Sequence, residues 1–266
     1  MFKTRLLSGI VLVILAILII VSGGYVTLFS LLGISLIGMF ELYRVFQLEK
    51  TSLAYISYAM AVLFYVSELF GGFIDPMAFV MLFLILLMFA YVFSYPKFEA
   101  KDVMAIFFGM FYVAVMLSYV YQIRVLDSGV YLAFLIFICS WGCDTCAYCA
   151  GKIFGKHKMA PVLSPKKSIE GAVGGVLGTS LLTMIYTSIF RAQMGLDTAG
   201  IITLAVISAV AGLISMVGDL TASAIKRNYN IKDYGTLIPG HGGIMDRFDS
   251  MMITAPIIYY LAVYFL

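Results

Sequence analysis

Long runs without a charge alternate with short charged segments along this chain. Residues 6–40 contain no Asp, Glu, Lys or Arg. That is too long for one membrane crossing and right for two, each needing roughly 20 apolar residues, with a break at Ser22-Gly23-Gly24. Further uncharged runs cover 52–67, 76–96, 103–123, 128–143, 171–190, 198–218 and 250–266. The pattern predicts an all-α, polytopic integral membrane protein with about nine transmembrane helices. Transmembrane strands would alternate over about ten residues, and no such alternation occurs. A signal peptide is the alternative for residues 1–24, but the apolar run is long and no small-x-small cleavage site stands out.

Composition agrees with the pattern. Hydrophobic residues make up 63% and charged residues 12% of the chain, and mean hydropathy is +1.05. A soluble domain is about 45–50% apolar and about 25% charged. The net charge of +3 says little; the placement of the charges says more. With nine spans and a cytoplasmic N-terminus, Lys3, Arg5, Arg44, Lys50, Lys97, Lys101, the lysines of 152–167 and the bases of 226–247 all fall inside. Only Arg124 and Arg191 fall outside, so 15 of 17 Lys and Arg obey the positive-inside rule. The C-terminus is then outside. The organisation expected is an N-terminal membrane region over 1–128 with about five helices. A C-terminal catalytic region over 129–266 follows, with about four helices and two cytoplasmic loops, 151–170 and 224–249.

Two small-residue patterns have structural readings. Cys139, Cys143, Cys146 and Cys149 trace one stripe of a helix and read as packing residues. Their spacing resembles an iron–sulfur run that lacks its fourth ligand and following proline. Gly171, Gly174, Gly175 and Gly178 form interleaved Gly-x-x-x-Gly pairs and predict close helix packing.

Acidic residues at span ends carry the chemistry. Asp144 and Asp219 sit near the inner ends of the sixth and eighth spans, and Asp246 and Asp249 immediately precede the ninth. Four carboxylates at one level repel one another unless a cation lies among them. Mg²⁺ takes one or two carboxylates plus substrate phosphates. Each aspartate could instead pair with a nearby Lys or Arg at the headgroup boundary; for Asp219 and Asp246 together the metal reading is preferred. Ser223 follows Asp219 by one helical turn, and Asp246 and Asp249 share a face if a helix begins there.

Basic residues and glycines surround these aspartates. Ser164-Pro165-Lys166-Lys167 reads as a Ser N-cap, a Pro at the first helical position and two lysines before a span, and a helix N-terminus with lysines suits phosphate. Lys226, Arg227, Lys232 and Arg247 supply further cations, and Gly240, Gly242 and Gly243 let backbone approach a ligand. Metal, cationic clamps and backbone amides are the equipment of phosphoryl or nucleotidyl transfer. His241 suits a general base or, where the acceptor is already an anion, a phosphate ligand or loop-orienting group. His157 reads as a solvated residue.

The 27 residues from Ser223 to Asp249 resemble the signature of the phosphatidate cytidylyltransferases, or CDP-diacylglycerol synthases. The matching elements are Ser223-x-Ile225-Lys226-Arg227, Lys232-Asp233-x-Gly235 and Pro239-x-His241-Gly242-Gly243-Ile244-x-Asp246-Arg247-x-Asp249. Asp144, Tyr148, Gly151 and Ser164–Gly171 resemble a second region of that family, whereas the first 130 residues match mainly in hydropathy. The resemblance implies a Mg²⁺-dependent reaction of CTP with phosphatidate in the bilayer, giving CDP-diacylglycerol and pyrophosphate; a second cation is left open. It implies metal binding by Asp219 and Asp246, with Asp144 and Asp249 as further metal candidates. Lys226, Arg227 and His241 join Asp219 and Asp246 as the catalytic set. Ser223, Lys166, Lys167, Lys232, Arg247, Gly242 and Gly243 are the substrate-binding set. It further implies a multi-pass protein of the cell (inner) membrane with its site facing the cytoplasm, no nucleic-acid partner, and a homodimer as an open option.

Two other readings compete. A polyprenol kinase or an archaeal-lipid cytidylyltransferase shares metal and lysines without the full signature. A transporter would place carboxylates near the midplane beside broken helices.

Overall fold

The structure is a computed structural model that describes residues 2–265, with side chains from residue 6 onward. The side chains of Lys3 and Arg5, expected at the cytoplasmic start, lie outside the described residues. Among the described residues, nine long helices follow the expected order: α1 Phe2–Ser22, α2 Gly24–Val45, α3 Ser52–Leu69, α4 Pro76–Phe93, α5 Ala100–Arg124, α6 Gly129–Phe154, α7 Ile169–Ile189, α8 Thr198–Asn228 and α9 Met245–Phe265. Among the described residues, α2 to α9 are eight helices long and apolar enough to cross a membrane, and Leu6–Ser22 of α1 is a shorter apolar helix. This is an all-α multi-pass membrane protein.

Local chemistry sets the boundaries. Gly23 and Gly24 have φ of 64° and 48° and separate α1 from α2, a conformation that costs glycine little. Asp75 caps α4 by accepting from the Met77 and Ala78 amides at 2.9 and 3.0 Å, with Pro76 at the first helical position. Only 17% of the apolar window of α4 is buried, so this helix turns most of its surface to lipid.

The chain forms two compact units. One comprises Met1–Ser118 with Asp233–Arg247, the other Tyr119–Lys232 with Phe248–Leu266. In the first, buried tyrosines join helices through hydrogen bonds. Tyr43 Oη meets Ser57 Oγ at 2.7 Å and donates to the Ile106 carbonyl at 2.8 Å. Tyr65 Oη meets Ser35 Oγ at 2.8 Å and donates to the Ala114 carbonyl at 3.2 Å. Ala114 lies in a π-helical turn of α5, Met110–Val115, where the regular ladder is interrupted and a carbonyl becomes available to a side chain.

In the second unit, α6 and α7 pack through the predicted glycines. A Cβ on Gly174 would collide with Ala150 Cβ, and one on Gly178 would come within 2.6 Å of Cys146 Cβ and Sγ. Cys143 Sγ reaches the Gly212 carbonyl at 3.4 Å. The cysteine stripe thus fills helix interfaces at its buried end and becomes exposed by Cys149.

Three details correct the expectations. Ser164 and Pro165 do not start a helix: Ser164–Ser168 is strand β2, paired antiparallel with β1, Lys158–Ala160. Ser168 is the true cap of α7, accepting from the Gly171 amide at 3.1 Å. The expected loop over 224–249 is shorter at both ends: α8 runs on to Asn228 and holds Lys226 and Arg227 on helix, and α9 starts at Met245, so Asp246 and Asp249 lie on that helix rather than before it.

Candidate active site

In the second unit, a cleft of about 490 Å³ is lined by Asp144, Tyr148, Lys152, Lys158, Lys166, Lys167 and Asp219, among others. The hairpin forms one wall. Glu170 fastens it, accepting from the Lys156 and His157 amides at 3.1 and 3.2 Å and meeting His157 Nδ1 at 2.6 Å. His157, though exposed, is therefore more than a solvated side chain. On β2, Lys166 is exposed and Lys167 half-buried, and Lys167 Nζ forms an ion pair with Asp219 Oδ2.

Asp219 lies on α8, and Gly218 beside it lets α8 approach α9. A Cβ on Gly218 would lie 3.0 Å from the Asp249 carbonyl oxygen and 3.2 Å from Ser250 Cα. Asp249 is buried there, within electrostatic reach of Asp219, Lys226 and Asp144. Three of the four candidate carboxylates are thus neighbours. Asp144 reaches this place just after a second π-helical turn, Ile138–Gly142 of α6. Among the described residues, no three His, Cys, Asp or Glu side chains form a ready-made metal cage. Ser223 sits on α8 one turn beyond Asp219, half-buried, whereas Arg227 and Lys232 are exposed.

Asp246, His241, Gly242, Gly243 and Arg247 belong to the first unit, in the loop Asp233–Arg247. Asp246 is buried at 6% exposure. Its Oδ2 accepts from the Tyr234 amide at 2.7 Å and the Gly243 amide at 3.0 Å. Pro239 and Gly240 occupy the centre of a tight turn closed by the His241 amide donating to the Ile238 carbonyl at 2.9 Å. Gly240 has the φ of 77° that a type II turn requires. Ser8 Oγ donates to the Pro239 carbonyl at 3.0 Å and meets His241 Nδ1 at 2.8 Å. Arg247 Nε donates to the His241 carbonyl at 3.1 Å.

Two residues that sequence reasoning passed over hold this loop. Arg44 Nη2 donates to the Tyr234 carbonyl at 2.6 Å, and Glu41, 4% exposed, accepts from the Met245 amide at 2.9 Å. The signal for Glu41 is a carboxylate ending an otherwise uncharged run of apolar sequence.

A family model described as "Cytidylyltransferase family" matches residues 3–265. The chain belongs to the cytidylyltransferase family. Its relatives within that family include proteins named phosphatidate cytidylyltransferase. The Bacillus subtilis protein is 32% identical over 99% of this chain and 98% of its own length. The Staphylococcus saprophyticus protein is 31% identical over 98% of this chain and 99% of its own. The Thermotoga maritima protein is 34% identical over 62% of this chain and 60% of its own.

Proposed function

We propose that this cytidylyltransferase transfers the cytidylyl group of CTP to phosphatidate in the bilayer, forming CDP-diacylglycerol for phospholipid biosynthesis and releasing pyrophosphate. The observation that carries this reading is near-full-length similarity to relatives named for that reaction, together with a complete signature over Ser223–Asp249. A phosphatidate oxygen attacks the α-phosphorus of CTP in line. The new P–O bond forms as the bond to the bridging oxygen breaks, and pyrophosphate departs with the electron pair. The attacking phosphate is already an anion, so no general base is needed. His241, held by Ser8, then serves to orient its loop.

The cleft beside β2 supports this chemistry. Lys167 and Lys166 bind phosphate oxygens and stabilise the charge that builds on the leaving pyrophosphate. Lys226 lies within reach of the carboxylates and moderates their repulsion. Asp219, with Asp144 and Asp249 near it, offers the hard oxygen donors that Mg²⁺ takes, and the lysines around them suit the phosphates that would come with it. The signature assigns metal binding to Asp246 as well. When bound, Mg²⁺ would neutralise triphosphate charge and polarise the α-phosphoryl group. We place the site at the cytoplasmic face of the cell membrane, N-terminus inside and C-terminus outside, following the Lys and Arg bias.

Purified protein incubated with labelled CTP and phosphatidate should yield labelled CDP-diacylglycerol. Polyprenol with CTP or ATP should yield no product. Turnover of polyprenol alone, or Asp219-dependent ion flux in liposomes without nucleotide turnover, would refute the reading.

A further inference from the structure

Glu41 is buried on α2, some 200 residues before the loop it touches, and its contacts are with backbone. Its carboxylate accepts the Met245 amide at 2.9 Å. This amide leads into the first turn of α9, where a helix leaves N–H groups without intrahelical partners. Asp246 takes two other amides of the same loop, those of Tyr234 and Gly243. The two carboxylates therefore grip one segment through three backbone N–H groups.

The glycines of the signature fit this grip. A Cβ on Gly235 or on Gly243 would run into the Glu41 carboxylate, and one on Gly242 would lie 2.7 Å from Asp246 Oδ2. Gly242 also has a φ of 86°. The bareness of Gly235 and Gly243 makes room for Glu41. Negative charge at a helix N-terminus is favourable, and Glu41 supplies it at the start of α9.

We infer that Glu41 is a positioning residue: it seats the Asp233–Arg247 loop on α2 and fixes the direction in which Asp246 presents its carboxylate to the reaction. This rests on Asp246 being an active-site carboxylate, as proposed above. Glu41→Gln keeps the side chain's size but puts an amide NH₂ where two carboxylate oxygens now crowd the loop backbone. Gly243→Ala attacks the same seat from the loop side, with a methyl group directed at Glu41.

The test combines hydrogen exchange with kinetics on the full-length protein in detergent. In Glu41→Gln, backbone exchange in peptides covering 233–247 should rise about tenfold or more, while exchange in 164–171 stays at the wild-type rate, and kcat should fall about tenfold or more. Glu41→Asp, which retains the charge on a shorter stem, should recover part of both. If Glu41→Gln does not fold, Gly243→Ala supplies the same readouts. Exchange that rises equally across the chain makes Glu41 a general stabiliser and overturns the inference. So does local loosening with kcat within twofold of wild type, or unchanged exchange in 233–247. A wild-type protein without cytidylyl transfer would sink the functional reading instead, and the local exchange result would still decide whether Glu41 seats the loop.

Discussion

Lys167 on β2 and Asp219 on α8 form an ion pair in which each side chain retains about a quarter of its exposure, 22% and 25%. A fully solvated pair contributes little, but this one lines a cleft with four lysines and two aspartates on its walls. Lys167 therefore holds Asp219 in place, and in the proposed reaction it would turn to a phosphate.

Replacing Lys167 by Met should lower kcat/KM for CTP by about a hundredfold, the scale of losing one aimed donor in a water-poor site. Steady-state kinetics at saturating phosphatidate check this; a change below twofold would remove Lys167 from the substrate set.

Asp249 is buried within electrostatic reach of Asp219 and Asp144, so under the proposed metal reading its carboxylate would add to the field on a bound cation. Asp249→Asn should raise the Mg²⁺ concentration for half-maximal activity by roughly tenfold, as losses of supporting groups around a metal do. A Mg²⁺ titration of activity reads this directly.

Ser8 and His241 meet at 2.8 Å. If the histidine orients its loop through Ser8, the single changes Ser8→Ala and His241→Ala should not add in the double variant. A double-mutant cycle on kcat should return a coupling of about 0.5–3 kcal/mol. Strict additivity would separate the two residues.

Gly174 leaves no room for a side chain against Ala150. Gly174→Leu should lower the Tm of the purified protein, since overpacking a fitted interface costs about 1–3 kcal/mol. Thermal unfolding in detergent checks it, with Gly33→Ala at an open helical position as a comparison for glycine loss alone.

The spans were legible because uncharged runs can hardly be anything else in a chain this apolar, and Gly23 marked the first break by its backbone freedom. The glycines of α7 were legible for the same reason: their spacing has one packing consequence. The hairpin was not. Ser164-Pro165 carries a sound local helix-start pattern, but pairing with Lys158–Ala160 overrides it, and that pairing depends on a partner outside the window. The aspartates were visible as charges out of place, and the structure adds that Asp249 sits against Asp219 through Gly218. Glu41 escaped notice because nothing nearby in sequence tells which distant amides a buried carboxylate serves.

The central proposal is that cytidylyl transfer depends on Asp219 and on Asp246. A radiolabelled CTP assay on purified protein, with phosphatidate and Mg²⁺, compares the wild type with Asp219→Ala and Asp246→Ala most directly. Each variant should keep its fold and lose activity by about a hundredfold or more, the scale of losing an aimed electrostatic group. Full activity in either would contradict the account.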